Sequence, residues 1–276
     1  MNLIITYAAS TRPGGRDVNE DSVLCVERDG NYCFAVADGL GGHARGEAAS
    51  QAAVEAFEKL FKGIAKDADG AAVEGARPSP AAVKPRVFIE DALNAAQNDV
   101  LEKQKKEKAL ADMKTTVAAL AIAGKKFAYG HIGDTRIYAF KNNKVKKRTL
   151  DHSVPQILVL SGEIKEDEIR GHPDRNILLR VIGAEWDSLK YELSDEEDLS
   201  GYQAFLLCSD GFWEYIDEKR MCVLLKQSGD AGGWLDMMVA EVEKNGAGKP
   251  APMDNYSAVA VLLQPAAVRR KPSVRE

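Results

Sequence analysis

A net charge of −5 on 276 residues argues against a chain that holds nucleic acid by neutralising phosphates. Hydrophobic residues at 45% and charged residues at 29% are the proportions of a globular protein with a substantial core. No apolar run approaches the roughly 20 residues that a membrane-spanning helix needs, and MNLIITYAAST has no basic n-region. The expectation is therefore a soluble, cytoplasmic protein that does not engage a membrane.

In chain order, LIITYAAS, SVLCVER and YCFAVA read as strands, the last two joined at Asp29-Gly30-Asn31, a hairpin turn. ARGEAASQAAVEAFEKLF places Ala48, Ala52, Val54, Ala56, Phe57, Leu60 and Phe61 on a largely helical apolar face. VFIEDALNAAQNDVLEKQKKEK reads as a second helix, solvated towards its charged end. Residues 62–85, between these helices, form an Ala/Gly/Pro-rich insertion or mobile loop. Its DADG fragment lacks the remaining acids of a calcium loop.

From Thr115 the pattern becomes a meander of strands, with turns at Gly124-Lys125 and Asn142-Asn143. A short helix, VPQILVLSG, and a polar segment through GHPDRNILLRVIG follow. QAFLLCSDG is a strand, DEKRMCVLLKQ and GWLDMMVAEVEKN are helical, and YSAVAVLLQ is the last strand. Grouped strands and grouped helices indicate an α+β layered domain. RRKPSVRE reads as a loose basic tail. The cysteines at 25, 33, 208 and 222 lack the paired spacing of a zinc or redox motif and read as reduced core residues.

The stretch VADGLGGHARGEAAS admits two readings. Gly39-Leu40-Gly41-Gly42-His43-Ala44 fits G-x-G-x-x-A between a strand and a helix, as a dinucleotide fingerprint does. Asp38 would then set a carboxylate against a pyrophosphate, and the ribose-binding acid expected about 20 residues later falls in a helix, around Glu58. The other reading is a metal site. Asp210 ends AFLLCSDG, Asp254 precedes the final strand, Asp21 precedes SVLCV and Asp134 follows FAYGHIG. Each acid lies at the boundary of a buried strand. Acids with no cysteine partners and few histidines suit magnesium or manganese. Asp-Gly is also a common turn dipeptide, so spacing alone does not choose between ligands and turn residues. No GxSxG elbow or HExxH is present, and His43, His131, His152 and His172 are scattered singly.

Taken in order, RDVNEDS, VADGLGGHARGEAAS, TTVAAL, GDTRIY, LDHS, GHPDRNILLRVIG, CSDGFWE and DNYSAVAVLL resemble the motifs of the type 2C (PPM) metal-dependent serine/threonine protein phosphatases in their bacterial form. The resemblance implies a four-layer α-β-β-α sandwich of two mainly antiparallel sheets flanked by helices. It implies one catalytic domain over residues 1–266 with a basic tail at 267–276, in a monomeric protein. It implies hydrolysis of phosphoserine and phosphothreonine on proteins by a water activated between two Mn2+ or Mg2+ ions. The alternative is a catalytically weak or inactive phosphoprotein-binding regulator of the same fold.

By position, Asp38 would bridge two ions, joined by the Gly39 carbonyl. Asp210 and Asp254 would hold one ion, and Asp21 would act directly or through water. Asp134 matches an acid that helps hold a third, looser ion in bacterial members. Arg16 would bind the substrate phosphate, and Glu20 and Asn255 would support from behind. Leu40 stands where animal relatives carry a histidine proposed as general acid, and His43 is not given that role. LLRVIG lacks the threonine that many bacterial relatives place before the arginine. Bacterial members commonly oppose a serine/threonine kinase, and some serve type VI secretion.

Overall fold

The computed structural model describes residues 3–41, 44–63, 84–186, 190–249 and 251–265. His43, the DADG fragment, most of the Ala/Pro-rich segment and the basic tail lie outside the described residues.

Strands β1 (Leu3–Arg12), β2 (Asp21–Arg28) and β3 (Asn31–Leu40) come first. Helices α1 (Ala44–Gly63) and α2 (Pro85–Lys106) follow, then β4 (Lys114–Thr115), β5 (Val117–Ala123), β6 (Lys126–Ile132), β7 (Arg136–Lys141) and β8 (Lys144–Arg148). The remainder is α3 (Val154–Ser161), β9 (Glu192–Leu193), β10 (Glu197–Asp198), β11 (Ala204–Cys208), α4 (Asp210–Trp213), α5 (Glu218–Gln227), α6 (Ala231–Gly246) and β12 (Tyr256–Pro265). One sheet runs β1-β12-β11-β7-β8. The other runs β10-β6-β5-β3-β2, with β4 on β3 and β9 on β6. All of these pairings are antiparallel.

Alternation along the strands builds three cores. Phe34 and Val36 of β3, Leu120 of β5, Phe205 and Leu207 of β11, and Val259 and Val261 of β12 fill the space between the sheets. Phe127 and Phe205 meet across it with ring centroids 4.8 Å apart. The opposite faces of β3 and β5 (Cys33, Ala35, Val117, Ala119) pack on α1 and α2. Both helices present apolar residues at three- and four-residue spacing, such as Ala49, Ala52, Ala53, Ala56 and Phe57 in α1. Leu206, Cys208, Ala258 and Ala260 face the α4–α6 side. The four-layer α-β-β-α order follows.

The meander of strands from Thr115 is divided between the sheets: β5 and β6 belong to one and β7 and β8 to the other. The chain changes sheets at Gly133-Asp134-Thr135, which brings Asp134 to the rim of the inter-sheet core. The turns at Asn142-Asn143 and Gly124 are present with positive φ.

Candidate metal and phosphate site

The columns of side chains between the sheets end in polar groups on one side of the molecule. Along β3 the inward series is Phe34, Val36, Asp38, and along β2 it is Cys25, Val23, Asp21. Asp21 and Asp38 are directly opposed in the β2–β3 register. On the facing sheet, Leu207 is followed at the same parity by Ser209, and Val259 is preceded by Ser257. Ser209 Oγ donates to Asp21 Oδ2 at 2.8 Å, and the Ser257 N–H donates to Ser209 Oγ at 2.9 Å. These bonds tie the two sheets together at the site. Asp210 opens α4 immediately after Ser209, and Asp254 stands two residues before β12.

Backbone contacts position the carboxylates. Thr115 Oγ1 donates to the Asp38 carbonyl at 2.8 Å, as does the Thr116 N–H at 2.9 Å. A Cβ on Gly39 would stand 2.2 Å from the Gly46 carbonyl oxygen and 2.6 Å from that of Glu20. Any side chain there would force β3 away from α1 and from the entry to β2. Gly211 is confined in the same way, 2.1 Å from the Asn255 oxygen. Asn255 is buried, and its Oδ1 accepts from the Glu20 N–H at 2.8 Å. Its Nδ2 donates to the carbonyls of Pro13 and Val18, each at 2.9 Å, and so closes the loop that carries Arg16. Asn255 thus links the backbone of Glu20, beside Asp21, to the Arg16 loop.

Electrostatically the five aspartates form one group. Burial, then the charges of Asp210 and Asp254, push Asp21 up to about 7 against the bonds from Ser257 and Ser209. Asp38 is raised well above the usual carboxylate range by burial and by the charges of Asp21, Asp210, Asp134 and Asp254. Burial and the charge of Asp210 raise Asp134. Burial and Asp254 raise Asp210, and a hydrogen bond with Asp38 offsets part of the effect. Asp21 Oδ1 is buried with no hydrogen-bond partner. Such a cluster is unfavourable as ionised carboxylates alone and favourable around cations. Its donors are all oxygen, which fits magnesium or manganese.

A cleft of about 320 Å3 opens onto these groups, lined by Arg16, Arg175, Asp210, Glu214, Tyr215 and Asp254 among others. Arg16 Nη2 donates to Asp254 Oδ2 at 2.8 Å, with both side chains about half exposed. Arg175 Nε donates to Glu214 Oε1 at 2.6 Å. Burial and the Asp210 charge raise Glu214 to about 7. Two guanidinium groups beside a carboxylate cluster suit an anion that arrives with cations.

Sequence reasoning missed Arg175, Ser257 and Trp213 as members of this region. Ser257 could have been found by extending the alternation of β12 one step towards Asp254. Trp213 donates from Nε1 to the Asp134 carbonyl at 3.0 Å, and no periodicity signals that contact. The cysteines behave as expected. All are free, Cys33 and Cys208 are buried, and burial pushes the Cys25 thiol up to about 12. His131 and His152, read singly in the sequence, stack at 4.5 Å.

Comparisons with known proteins bear on the family and the fold. The family described as Protein phosphatase 2C matches residues 14–229. Serine/threonine protein phosphatase PstP of Mycobacterium tuberculosis is 30% identical over 227 residues, covering 82% of this chain and 40% of the relative. This chain therefore spans under half the length of that relative. Serine/threonine phosphatase stp of Listeria monocytogenes is 27% identical over 236 residues, covering 84% and 86%. The crystal structure of the PstP catalytic domain with two manganese ions superposes with a TM-score of 0.75 at 26% identity, covering 96% of this chain and all of that one.

Proposed function

The chain belongs to the protein phosphatase 2C family, and from that premise we propose that it hydrolyses phosphoserine and phosphothreonine on proteins. The observation that carries this reading is the convergence of Asp21, Asp38, Asp134, Asp210 and Asp254 beside Arg16 at one end of the inter-sheet core.

Asp38, Asp210, Asp254 and Asp21, with the Gly39 carbonyl, would hold two Mn2+ or Mg2+ ions, and Asp134 would hold a third, looser one. When bound, such ions offset phosphoryl charge and lower the pKa of water. The protein's own groups do the rest. Arg16 can leave Asp254, because a half-exposed pair is worth about 1 kcal/mol or less, and its guanidinium then meets the substrate phosphate in a forked geometry. Asn255 keeps the Arg16 loop closed through Pro13 and Val18. Cysteine nucleophiles are unsuited, since burial pushes the thiols of Cys33 and Cys208 upward. Ser209 Oγ is committed to Asp21 and the Ser257 N–H. The physiological substrates in this reading are products of a serine/threonine kinase.

The test is turnover of a phosphopeptide with and without manganese, in wild type, Asp38→Asn and Asp210→Asn. Manganese should stimulate the wild type, and both variants should lose that stimulation while keeping their fold. Undiminished turnover in both would falsify the assignment.

A further inference from the structure

Asp134 is held through its main chain. Trp213 Nε1 donates to its carbonyl at 3.0 Å. One residue earlier, the Gly133 N–H donates to His152 Nδ1 at 3.2 Å, and the Gly133 carbonyl accepts from the His152 N–H at 2.9 Å. The residue before His152 reinforces the same grip. Asp151 takes Arg136 in a two-pronged pair at 2.8 and 2.6 Å, and the Arg136 guanidinium lies 3.5 Å over the Trp213 ring. Segment 151–152 and Trp213 therefore enclose the turn at which the chain changes sheets.

The ring protons define what His152 does. His131 Nε2 faces the Leu150 carbonyl at 2.8 Å, and a carbonyl only accepts, so Nε2 carries the proton and Nδ1 is bare. His152 is the reverse. Its Nδ1 accepts from Gly133, so the neutral ring is protonated at Nε2. His131 Nδ1 and His152 Nε2 have no hydrogen-bond partner, and His152 Nε2 lies 3.9 Å from Glu192 Oε1. One ligand atom from each of the three residues falls within 4.8 Å of the others, a grouping with the outline of a metal site. A protonated Nε2 offers no lone pair to a cation. Ligation there would take from the Gly133 N–H its acceptor. The chemistry of His152 thus favours the grip on Gly133 over an ion among the trio.

We propose that His152 and Trp213 are positioning residues for Asp134, setting the affinity for a divalent ion on that carboxylate without altering the ions on Asp38, Asp21, Asp210 and Asp254. This rests on reading the aspartates as manganese ligands. Both residues act on backbone atoms adjoining one ligand, so their loss should loosen one ion selectively. A general loss of stability would loosen all of them.

The experiment counts bound Mn2+ from the electron paramagnetic resonance signal of the free ion, using the full chain. The variants are Asp134→Asn, Trp213→Phe, His152→Ala and His152→Asn, with thermal melting as a check on folding. Asp134→Asn identifies the binding step that belongs to Asp134. Phenylalanine keeps an aromatic ring against Arg136 and removes the Nε1–H together with part of the indole. Its melting temperature is therefore read beside its binding steps, to separate the lost hydrogen bond from the lost packing. Asparagine Oδ1 stands where histidine Nδ1 stands, so it retains the acceptor that alanine lacks. In Trp213→Phe and His152→Ala the Asp134 step should weaken about tenfold, and in His152→Asn by about twofold at most, with the tighter steps unmoved. Should His152→Ala fail to fold, Trp213→Phe and His152→Asn decide. The proposal is overturned if wild type shows no step sensitive to Asp134→Asn, if Trp213→Phe binds as wild type does, or if all steps weaken together. Asp38→Asn separates this from failure of the parent reading. If it leaves the tight steps intact, the aspartates are not the metal site. If it abolishes them while Trp213→Phe changes nothing, only the positioning role fails.

Discussion

Two groups of buried charge lie within reach of each other, and they are built on opposite principles. Arg136 and Asp151 have side chains 2% and 1% exposed, meet through two hydrogen bonds, and are capped by Trp213. Charge there is balanced inside the protein. The aspartates at the sheet ends repel one another, and Asp21 keeps an oxygen without a partner. Charge there is left for a ligand to balance. Burial alone does not mark a functional site; burial without compensation does.

Mutation should separate the two groups, starting with catalysis. Asp38→Asn is expected to lower manganese-dependent phosphopeptide turnover by about a thousandfold or more, since several kcal/mol of charge stabilisation are at stake. In the presence of a chelator the same variant should melt at a higher temperature than wild type at pH 8, because a buried carboxylate whose raised pKa costs the folded chain at that pH is gone. A lower melting temperature would break the contrast. Arg136→Met should act in the opposite sense. Leaving Asp151 buried and unpaired is expected to reduce unfolding free energy by about 3–5 kcal/mol, read by urea denaturation of the metal-free chain.

Acid should also distinguish the groups. The folded-state pKa of Asp21 is raised from 3.8 to about 7, and those of Asp38, Asp134 and Asp210 are raised too. The folded chain therefore binds more protons than the unfolded one between these values. The contribution of these groups to the stability of the metal-free protein is fully present below about pH 4 and is lost as pH rises through about 7. Manganese should flatten that slope, because ions favour the ionised carboxylates. A melting temperature independent of pH between 5 and 8 in chelator would contradict the electrostatic account. The smallest effect is expected far from both groups. Lys126→Ala removes an exposed pair with Asp198, and unfolding free energy should move by about 0.5 kcal/mol or less.

Much of the layering was legible because it is written in local periods. Inward residues of β3 recur every second position, and the buried face of α1 recurs at three and four, so strand and helix types follow from neighbouring residues. The ordered motifs likewise marked the aspartates, Arg16, Glu20 and Asn255. Other features depended on distant partners. The sheet change at Gly133-Asp134-Thr135 occurs inside what reads as one continuous meander. Arg175 reaches the cleft from a polar segment with no period of its own.

The Asp-Gly pairs show where the division falls. Asp29-Gly30 is a turn whose residues have φ of 52° and 73°, and nothing lies within 4 Å of where a Gly30 Cβ would be. Gly39 and Gly211 follow Asp38 and Asp210 for another reason: backbone from Gly46 and Asn255 passes where their side chains would stand. The sequence by itself indicated the long strands and helices and the candidate acids, because periodicity and composition act over a few residues. The short β4, β9, β10 and α4 carry too few residues to show a period. Asp29-Gly30 was already readable as a turn; only the tertiary structure decided why glycine must follow Asp38 and Asp210, because that depends on which backbone segments approach when the sheets and helices pack together.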